Sequence, residues 1–285
     1  MEVTDTISGL QEYLSIFRRD GEKVGFIPTM GALHEGHASL VDAAVADNDF
    51  VVVSIFVNPL QFAPDEDLDS YPRDLLNDLR ICEDHGADLI FTPSFNEIYP
   101  NGDLESVGVG SVALPLEGEA RPDHFAGVAA VVSRLFKVMG PCWAYFGEKD
   151  FQQIAVVKEL VMDQGLEIEV VACPTVREDD GLALSSRNAY LSLEERNQAP
   201  ILYRALQAGV VAIEEGEIDL KKVTSLIVRM VEAVPDARLE YAAIVDPVTF
   251  VTPSFPVDSG VPLRLLVSCW FGSARLIDNL GVQVP

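Results

Sequence analysis

The chain is short of basic residues relative to acidic ones. Its 285 residues include 20 lysines and arginines against 45 aspartates and glutamates, for a formal net charge of −25. Because a nucleic-acid-binding surface must present positive charge to the phosphate backbone, this balance excludes nucleic acid as a partner. If the substrate is an anion, its site must be a local basic region within an acidic protein.

Cysteine pairs and long apolar runs are also missing. The four cysteines, Cys82, Cys142, Cys173 and Cys269, are scattered without a C-x-x-C pair, which argues against both a disulfide framework and a structural zinc site. We expect reduced, mostly buried thiols. No segment approaches the ~20 apolar residues of a membrane span, and the first five residues do not resemble a signal peptide. We therefore expect a soluble cytoplasmic protein without a membrane partner.

Apolar runs and amphipathic segments alternate over the first 175 residues. Strands are predicted at 24–28, 50–57, 89–92, 143–146 and 167–174, and helices at 7–18, 40–46, 71–85, 127–139 and 152–164. This alternation is typical of an α/β domain whose open parallel sheet is covered by helices on both faces. The first domain is predicted to span residues 1–175.

The pattern changes in the remaining residues, 176–285. Helices are predicted at 193–209 and 220–234, strands near 239–245 and 263–268, and a turn-rich surface loop at 247–262. These elements predict a smaller α+β domain.

A histidine pair lies between the first predicted strand and the next predicted helix, in Pro28-Thr-Met-Gly-Ala-Leu-His34-Glu-Gly-His37. Open α/β sheets bind ligands at such turns. Gly31 and Gly36 let the backbone approach a bulky anion, and the helix start offers N–H donors. Both imidazoles can donate hydrogen bonds to phosphate oxygens. A metal-binding pair without a nearby third ligand and a purely structural pair are the alternatives.

Gln61 follows the second long strand, in Asn58-Pro-Leu-Gln61-Phe62. If the two strands are neighbours, Gln61 lies close to the histidine turn. Its neutral amide could then bind a hydroxyl and a carboxylate oxygen without adding charge. A solvated turn residue is the alternative interpretation.

Two further segments contain charged side chains near a helix start. Arg121 and His124 precede a predicted helix and could either bind an anion or hold a loop. Three acidic side chains of the 71–85 helix are interpreted as a solvated face rather than a metal site: Asp74, Asp78 and Asp84.

Lys149 lies in a strand, turn and helix sequence, Gly147-Glu-Lys149-Asp150-Phe-Gln-Gln153. A positive charge at a helix start can stabilise a transferring phosphoryl group, and Asp150 could accept hydrogen bonds from ribose hydroxyls. Gln153 lies one helical turn after Lys149, so both side chains share a face.

A polar loop follows at the predicted domain junction. In this loop, residues 179–188, two serines and an arginine could bind triphosphate oxygens. By itself, the loop would be interpreted as an ordinary polar linker. Together with the earlier residues it predicts a basic site at the strand ends, formed by His34, His37, Lys149, Ser185, Ser186 and Arg187.

Six segments resemble, in order, the signature blocks of the pantothenate synthetase family: PTMGALHEGHASLV, SIFVNPLQF, YPRDL, EGEARPDHFAGVA, AYFGEKDFQQ and DDGLALSSRN. They span roughly residues 24–192, and the closing Arg275-Leu-Ile-Asp-Asn-Leu resembles that family's C-terminus. The first block is similar to the HxGH turn of nucleotidyltransferase-like enzymes that form adenylates. The serine and arginine loop resembles their mobile phosphate-binding loop.

The resemblance implies a Rossmann-like ATP- and pantoate-binding domain, a smaller C-terminal lid and a homodimer. It also implies a two-step reaction. Pantoate and ATP with Mg²⁺ would give pantoyl adenylate and pyrophosphate, and β-alanine would then displace AMP to give pantothenate.

The resemblance further implies roles for individual residues. The catalytic group would be His34, His37, Lys149 and Arg187. ATP would be bound by Met30, His34, Gly36, His37, Gly147, Glu148, Lys149, Asp150, Val176, Leu184, Ser185, Ser186 and Arg187. Pantoate would be bound by Pro28, Met30, Gln61, Phe62 and Gln153, and the metal position would be Asp78.

Several positions depart from the family pattern. Asn77 stands where an acidic residue is usual, which leaves a direct protein contact to Mg²⁺ open. Asp123 stands where glycine is usual, and Leu184 stands where methionine is common. Just before the AYFGEKD segment, Cys142-Trp143 stands where a Pro-Asp type of sequence is usual. None of these changes removes a residue assigned to the chemistry.

Two other functions remain as alternatives. A nucleotidyltransferase of the same architecture, joining AMP or CMP to a phosphorylated acceptor, would not need Gln61 and Gln153 as a pair. A nucleotide-binding regulator without catalysis would not need His37, Lys149 and Arg187 intact.

Overall fold

The computed structural model describes residues 1–19, 21–63, 66–102 and 107–285. Within these residues the chain divides into two units, Met1–Pro174 and Thr175–Pro285. Each unit has its own apolar core.

A six-stranded sheet forms the centre of the first unit. Its strands are β1 (Glu2–Thr4), β2 (Val24–Thr29), β3 (Phe50–Ile55), β4 (Leu89–Phe91), β5 (Cys142–Gly147) and β6 (Ile168–Cys173). Their order is β1-β4-β3-β2-β5-β6, and all neighbours are parallel. Strands β3 and β4 follow on one side of β2, whereas β5 and β6 follow on its other side. The strand order therefore reverses between β2 and β5. Ligands of open α/β sheets bind at the carboxyl ends of the strands at such a point.

Seven α-helices accompany this sheet in the described residues: α1 (Ile7–Arg19), α2 (Glu35–Asp47), α3 (Leu75–Asp84), α4 (Phe95–Ile98), α5 (Glu117–Ala120), α6 (His124–Met139) and α7 (Phe151–Gln164). Successive residues of β2 belong to different cores: Phe26 packs in one cluster and Ile27 in another. Because side chains alternate across a strand, these cores lie on opposite faces of the sheet. The predicted parallel sheet with two covered faces is confirmed.

The second unit combines three helices with an antiparallel sheet. The helices are α8 (Leu193–Gln198), α9 (Ile201–Glu214) and α10 (Leu220–Glu232), and the strands are β7 (Ala237–Val245), β8 (Pro262–Phe271) and β9 (Ala274–Gln283). The strand order is β7-β8-β9. Leu206 of α9 and Ile227 of α10 pack against Leu265 and Val267 of β8 in one core. This is the predicted α+β arrangement.

Some predicted boundaries were wrong. The helix predicted at 193–209 is two helices, and Pro200 precedes α9. Proline lacks an N–H and cannot continue the hydrogen-bonding pattern of a helix interior. Strands β1 and β9 were not predicted, and α2 begins at Glu35 rather than at residue 40.

The predicted state of the cysteines is confirmed, since all four are free and buried. Among the described residues, none of the helices has both the length and the apolar character needed to cross a membrane.

Candidate active site

The turn after β2 is held by hydrogen bonds of the Thr29 side chain, one to β3 and one within the turn. Thr29 Oγ1 donates to the carbonyl of Ser54 on β3 (2.8 Å) and accepts from the Gly31 amide (3.2 Å). Gly31 and Ala32 both have positive φ, 79° and 52°. Glycine tolerates this conformation better than any other residue, which explains its presence at the first of these positions.

Asp78 of α3 contacts the same turn. Its carboxylate accepts hydrogen bonds from the amides of Ala32 (3.1 Å) and Leu33 (2.7 Å), and the residue is only 1% exposed. The predicted solvated acidic face is therefore wrong for Asp78, whereas Asp74 and Asp84 are exposed. Burial raises the pKa of the Asp78 carboxyl. Its role as a metal contact stays a prediction.

The two histidines of the turn form the start of α2. His34 is the N-cap residue and its Nδ1 accepts from the Gly36 amide (3.1 Å), while His37 Nδ1 accepts from the His34 amide (3.3 Å). The ring centroids are 4.2 Å apart. Because Nδ1 is the acceptor in both rings, the proton of each neutral imidazole is on Nε2. In each ring, Nδ1 thus accepts a backbone hydrogen bond of the helix start, and Nε2–H is the hydrogen-bond donor.

Burial keeps both rings neutral. Desolvation lowers the pKa of His34 to about 4, and the positive charge of Lys149 lowers it further while Asp150 opposes the shift. Desolvation, then His34 and Lys149, lower the pKa of His37 to about 3. The same effects show that Lys149 lies within electrostatic range of both imidazoles.

Lys149 follows β5 in a short 3₁₀ turn, Glu148–Asp150, that leads into α7. Its Nζ lies 3.5 Å from Asp150 Oδ1. The next two polar residues differ in their surroundings. Gln152 is buried and donates to the carbonyls of Val112 (2.8 Å) and Pro115 (2.7 Å), whereas Gln153 is partly exposed. Gln152 therefore has a structural role that the sequence did not indicate.

Gln61 ends a 3₁₀ turn, Pro59–Gln61, just after β3. It is 8% exposed, so the alternative of a solvated turn residue is wrong. Its Nε2 lies 2.7 Å from the sulfur of Met30, which places the turns after β2 and β3 side by side. The neighbourhood predicted for Gln61 is confirmed.

Asn58 is a central residue that the sequence analysis left without a role. It is fully buried, donates to the Gly127 carbonyl (3.0 Å) and accepts from the Leu60 amide (3.3 Å) and Tyr99 hydroxyl (3.2 Å). It also donates to Gln61 Oε1 (3.4 Å). The Asn-Pro pair after a strand was the available signal, since asparagine commonly caps such a turn.

Gly127 lets α6 approach this turn closely. A Cβ atom at this position would lie 2.3 Å from the Leu60 carbonyl oxygen, a distance that requires the backbone to shift. The glycine therefore sets the position of α6 against the Gln61 turn.

Arg121 and His124 hold neighbouring chain segments. The Arg121 guanidinium donates to both carboxylate oxygens of Glu66 (2.6 and 2.7 Å), and His124 Nδ1 lies 2.9 Å from the Gln61 carbonyl oxygen. Burial lowers the pKa of His124 to about 4, so the neutral ring donates Nδ1–H to this oxygen. Of the two roles considered for these residues, holding a loop is the one observed.

The serines and arginine of the predicted phosphate loop lie in the second unit. Ser185 caps the 3₁₀ turn Ser186–Tyr190, and its hydroxyl accepts from the Arg187 amide (3.3 Å). Val176 and Leu184 are joined in the same loop by a backbone hydrogen bond of 3.0 Å.

Two arginines anchor this loop within the second unit. Arg177 donates to both oxygens of Asp278 on β9 (2.7 and 2.8 Å) and to the Gly181 carbonyl (3.0 Å). Arg196 donates to Glu178 (2.6 Å) and Asp180 (2.7 Å). The loop is therefore fixed to the unit that carries it.

The structure brings together only part of the predicted residue set. In the first unit, Met30 contacts Gln61. A hydrogen bond and charge effects connect a second group: His34, Gly36, His37, Lys149 and Asp150. Pro28 lies in β2, Gly147 ends β5, and Phe62 packs edge-on against Tyr71 with ring centroids 5.8 Å apart. Among the described residues, no group of three or more histidine, cysteine or acidic side chains could hold a metal ion.

Comparisons with known proteins point in one direction. The family model for pantoate-beta-alanine ligase matches residues 2–281. The chain is 45% identical over 284 residues to a pantothenate synthetase of Acetivibrio thermocellus, with both chains covered completely (100%). A crystal structure of pantothenate synthetase from Thermus thermophilus matches with a TM-score of 0.91 and 48% identity, covering 98% of this chain and 99% of that one.

A further solved structure carries ligands. The Francisella tularensis pantoate-beta-alanine ligase, complexed with beta-gamma ATP and beta-alanine, matches with a TM-score of 0.77 and 35% identity. The match covers 98% of this chain and 97% of that chain. All three relatives are matched over nearly their full length.

Proposed function

The chain belongs to the pantoate-beta-alanine ligase family, and on this premise we propose how its residues join pantoate to β-alanine at the expense of ATP. The reaction passes through pantoyl adenylate and releases AMP and pyrophosphate. The observation that carries the proposed site is the pair of neutral imidazoles at the start of α2, within range of Lys149.

In the first step, a carboxylate oxygen of pantoate attacks the α-phosphorus of ATP. The bond from that phosphorus to the bridging oxygen breaks, and pyrophosphate leaves. His34 and His37 donate hydrogen bonds from Nε2–H to the phosphate oxygens, with His37 serving the leaving group. Because burial gives both rings pKa values of about 4 or below, they meet ATP at neutral pH as neutral hydrogen-bond donors.

Lys149 supplies the positive charge that the histidines lack. Charge builds on the transferred group and on the leaving pyrophosphate, and a fixed cation at a helix start stabilises it without reorganisation of solvent. Its partner Asp150, 3.5 Å away, is 48% exposed and is proposed to accept from the ribose. Gly147 and Glu148 complete the nucleotide contacts of this turn.

Pantoate is proposed to bind beside Met30 and Gln61, whose side chains meet at 2.7 Å. The Gln61 amide and Gln153 would hold the carboxylate and hydroxyls, while Pro28, Met30 and Phe62 would pack against the apolar carbons. Holding the carboxylate in line with the α-phosphorus can lower the barrier by up to ~7–11 kcal/mol.

Residues 1–175 are proposed as the ATP- and pantoate-binding domain, and residues 176–285 as a lid. The lid would contribute Val176 and Leu184 to adenosine binding, and Ser185, Ser186 and Arg187 to the triphosphate. The support is the anchoring of their loop by Arg177 and Arg196, which would deliver it as one piece.

Magnesium is proposed to enter with ATP as part of the substrate. Its protein ligands would have to be carboxylates, and Asp78 is the residue the sequence offered. Both Asp78 oxygens already accept backbone amides, and the described residues contain no group of metal-binding side chains around it. The residues therefore do not fit a protein cage for the ion.

In the second step, the neutral amine of β-alanine attacks the acyl carbon of pantoyl adenylate. The bond from this carbon to the AMP oxygen breaks, AMP leaves, and the new ammonium loses one proton to become the amide. Because the adenylate is already activated, the site mainly has to exclude water and admit the amine.

The family resemblance also supports a cytoplasmic homodimer. Light scattering at micromolar protein concentration would give twice the 31.1 kDa chain mass for a dimer. Cell fractionation would test the location.

The central experiment follows AMP release from ATP, pantoate and Mg²⁺, with and without β-alanine. Steady release that requires both pantoate and β-alanine is expected. Pyrophosphate formation with a phosphorylated acceptor and no amine would favour a nucleotidyltransferase instead. ATP binding without turnover would favour a regulator.

A further inference from the structure

We infer that Asp78 is a positioning residue that fixes the histidine turn, and not a ligand of magnesium. Its carboxylate accepts the amides of Ala32 and Leu33, and Leu33 immediately precedes His34. Asp78 lies 45 residues further along the chain, on α3, so the contact joins two separate elements.

The turn needs such an anchor because its backbone is unusual. Two successive residues, Gly31 and Ala32, have positive φ, and the alanine has no glycine-like freedom there. A non-glycine residue in this region is strained and persists only where its surroundings hold it. The carboxylate accepts from the second of these residues and from the one that follows.

The fit between carboxylate and turn is close. A Cβ atom on Gly31 would lie 2.8 Å from Asp78 Oδ2, so even one methyl group would displace the acid or the turn. Leu33 of the turn and Cys82 of α3 also belong to one apolar core.

This arrangement has a consequence for charge. A carboxylate near bound triphosphate would repel it, but backbone N–H groups donate to both oxygens of Asp78. Those hydrogen bonds favour the anion and take one acceptor position on each oxygen, and the described residues place no group of three or more metal-binding side chains around it. Asp78 therefore acts through His34 and His37.

Asp78→Asn tests this role, since an amide cannot accept both turn amides and would oppose one of them with its own NH₂. The matched control is Asp74→Asn on the same helix. Asp74 is exposed and caps α3 by accepting from the Asn77 amide, and asparagine caps equally well. Both changes remove one negative charge.

Two measurements separate positioning from metal binding. In the first, kcat/KM for ATP in pantoyl adenylate formation should fall by about tenfold to hundredfold in Asp78→Asn, the scale of a small misplacement of a reacting group. The Mg²⁺ concentration at half-maximal rate should not change. Asp74→Asn should match the parent protein in both. A large rise in the required Mg²⁺ would overturn the inference.

The second measurement is ¹⁵N NMR of the histidine side chains, which does not depend on activity or on the proposed function. The chain has only 4 histidines. The Nδ1 signals of His34 and His37 should move in Asp78→Asn. His85, at the end of α3 and 2.7 Å from Asp42, should keep its signal and thereby report an intact helix.

Unmoved His34 and His37 signals together with unchanged kinetics would also overturn the inference. If His85 moves as well, α3 itself has been disturbed. Gly31→Ala then decides, because it disturbs the same contact from the turn without replacing the Asp78 carboxylate by another chemical group. It should reproduce the loss in kcat/KM and the shift of the His34 signal at unchanged Mg²⁺ dependence, and failure to do so would contradict the role.

Discussion

The histidine turn at residues 29–37 and the serine loop at residues 176–188 are both proposed to contact phosphate, yet they are held in place by opposite means. The turn is anchored by an acid, Asp78, whose carboxylate accepts backbone amides. The loop is anchored by bases, Arg177 and Arg196, in ion pairs with acidic side chains. A segment proposed to bind phosphate can thus be anchored by an acidic or a basic side chain, provided that this side chain has its own hydrogen-bond or ion-pair partners.

The two regions should differ in what disturbs them. Hydrogen bonds from backbone amides to a buried carboxylate are little affected by salt, whereas partly exposed ion pairs are screened. Four changes probe the two regions, from the largest expected effect to the smallest.

Arg177→Met should destabilise the second unit by about 3–5 kcal/mol, because it leaves Asp278 buried without its cation. The Asp278 side chain is 3% exposed and that of Arg177 is 15% exposed. Urea unfolding in a Trp143→Phe background, where Trp270 reports on the second unit, measures the loss. Arg177→Met/Asp278→Leu should recover much of it, and a single variant as stable as the parent would contradict the buried-pair reading.

Lys149→Ala should slow adenylate formation by about 10²–10³-fold, since it removes the cation near the two imidazoles. Lys158→Ala is the matched control, because Lys158 is an exposed lysine on α7, the helix that follows the Lys149 turn. Single-turnover kinetics with ATP and pantoate provide the rates. Because Lys149 lowers the pKa of His34, that pKa should also rise in Lys149→Ala, and an unchanged rate and pKa would remove Lys149 from the site.

His37→Asn should make the first unit less sensitive to acid. Unfolded histidine binds a proton near pH 6.5, but the folded ring does so only near its pKa of about 3. Stability is therefore lost as pH falls from about 6.5 toward 3, by up to ~1.4 kcal/mol per pH unit for each such ring. Asparagine keeps the acceptor without titrating.

Urea unfolding at pH 7, 6 and 5 measures this slope, in a Trp270→Phe background where Trp143 reports on the first unit. As pH falls, the unfolding free energy of the variant should decrease less steeply, by a slope that corresponds to about one fewer proton taken up on unfolding. The unfolding free energies of variant and parent should agree near pH 8. Identical slopes would mean that His37 is protonated in the folded protein.

Arg196→Met should cost less than about 1 kcal/mol, the scale of exposed ion pairs. Its side chain is 25% exposed, and its partners Glu178 and Asp180 are 35% and 37% exposed. The same Trp270 signal, read at low and high salt, should show the difference from the parent shrinking as salt rises. A loss of unfolding free energy as large as that of Arg177→Met would contradict the distinction between a buried anchor at Arg177 and an exposed one at Arg196.

Local patterns in the sequence were sufficient for the parallel sheet and for most of the turn residues. A short apolar run predicted β2, a β-branched run predicted β3, and glycine with histidine between strand and helix predicted the turn. Strand β9 was not predicted because its buried Asp278 and Asn279 interrupt the apolar pattern. Their partners, Arg177 and Arg264, lie far away in the sequence.

Asp78 shows the same limit at the site. On a helix wheel it looks like one more surface acid beside Asp74 and Asp84, and only the folded structure brings it to the amides of a turn 45 residues earlier. Asn58 is similar, since its four partners come from three different segments. Chemistry-bearing residues were visible locally, but the groups that position them were not.

The histidine capping of α2 also constrains how this chain could diverge. Each ring accepts a helix amide at Nδ1 and is proposed to donate to the substrate from Nε2, so relaxed selection on catalysis would leave the helix still requiring an acceptor at both positions. A descendant that no longer formed adenylates would be expected to drift at residues 34 and 37 toward asparagine, aspartate or serine for the cap and toward glutamate or glutamine for its third residue. Polar remnants of that kind in otherwise similar chains would record a lost activity rather than an altered fold.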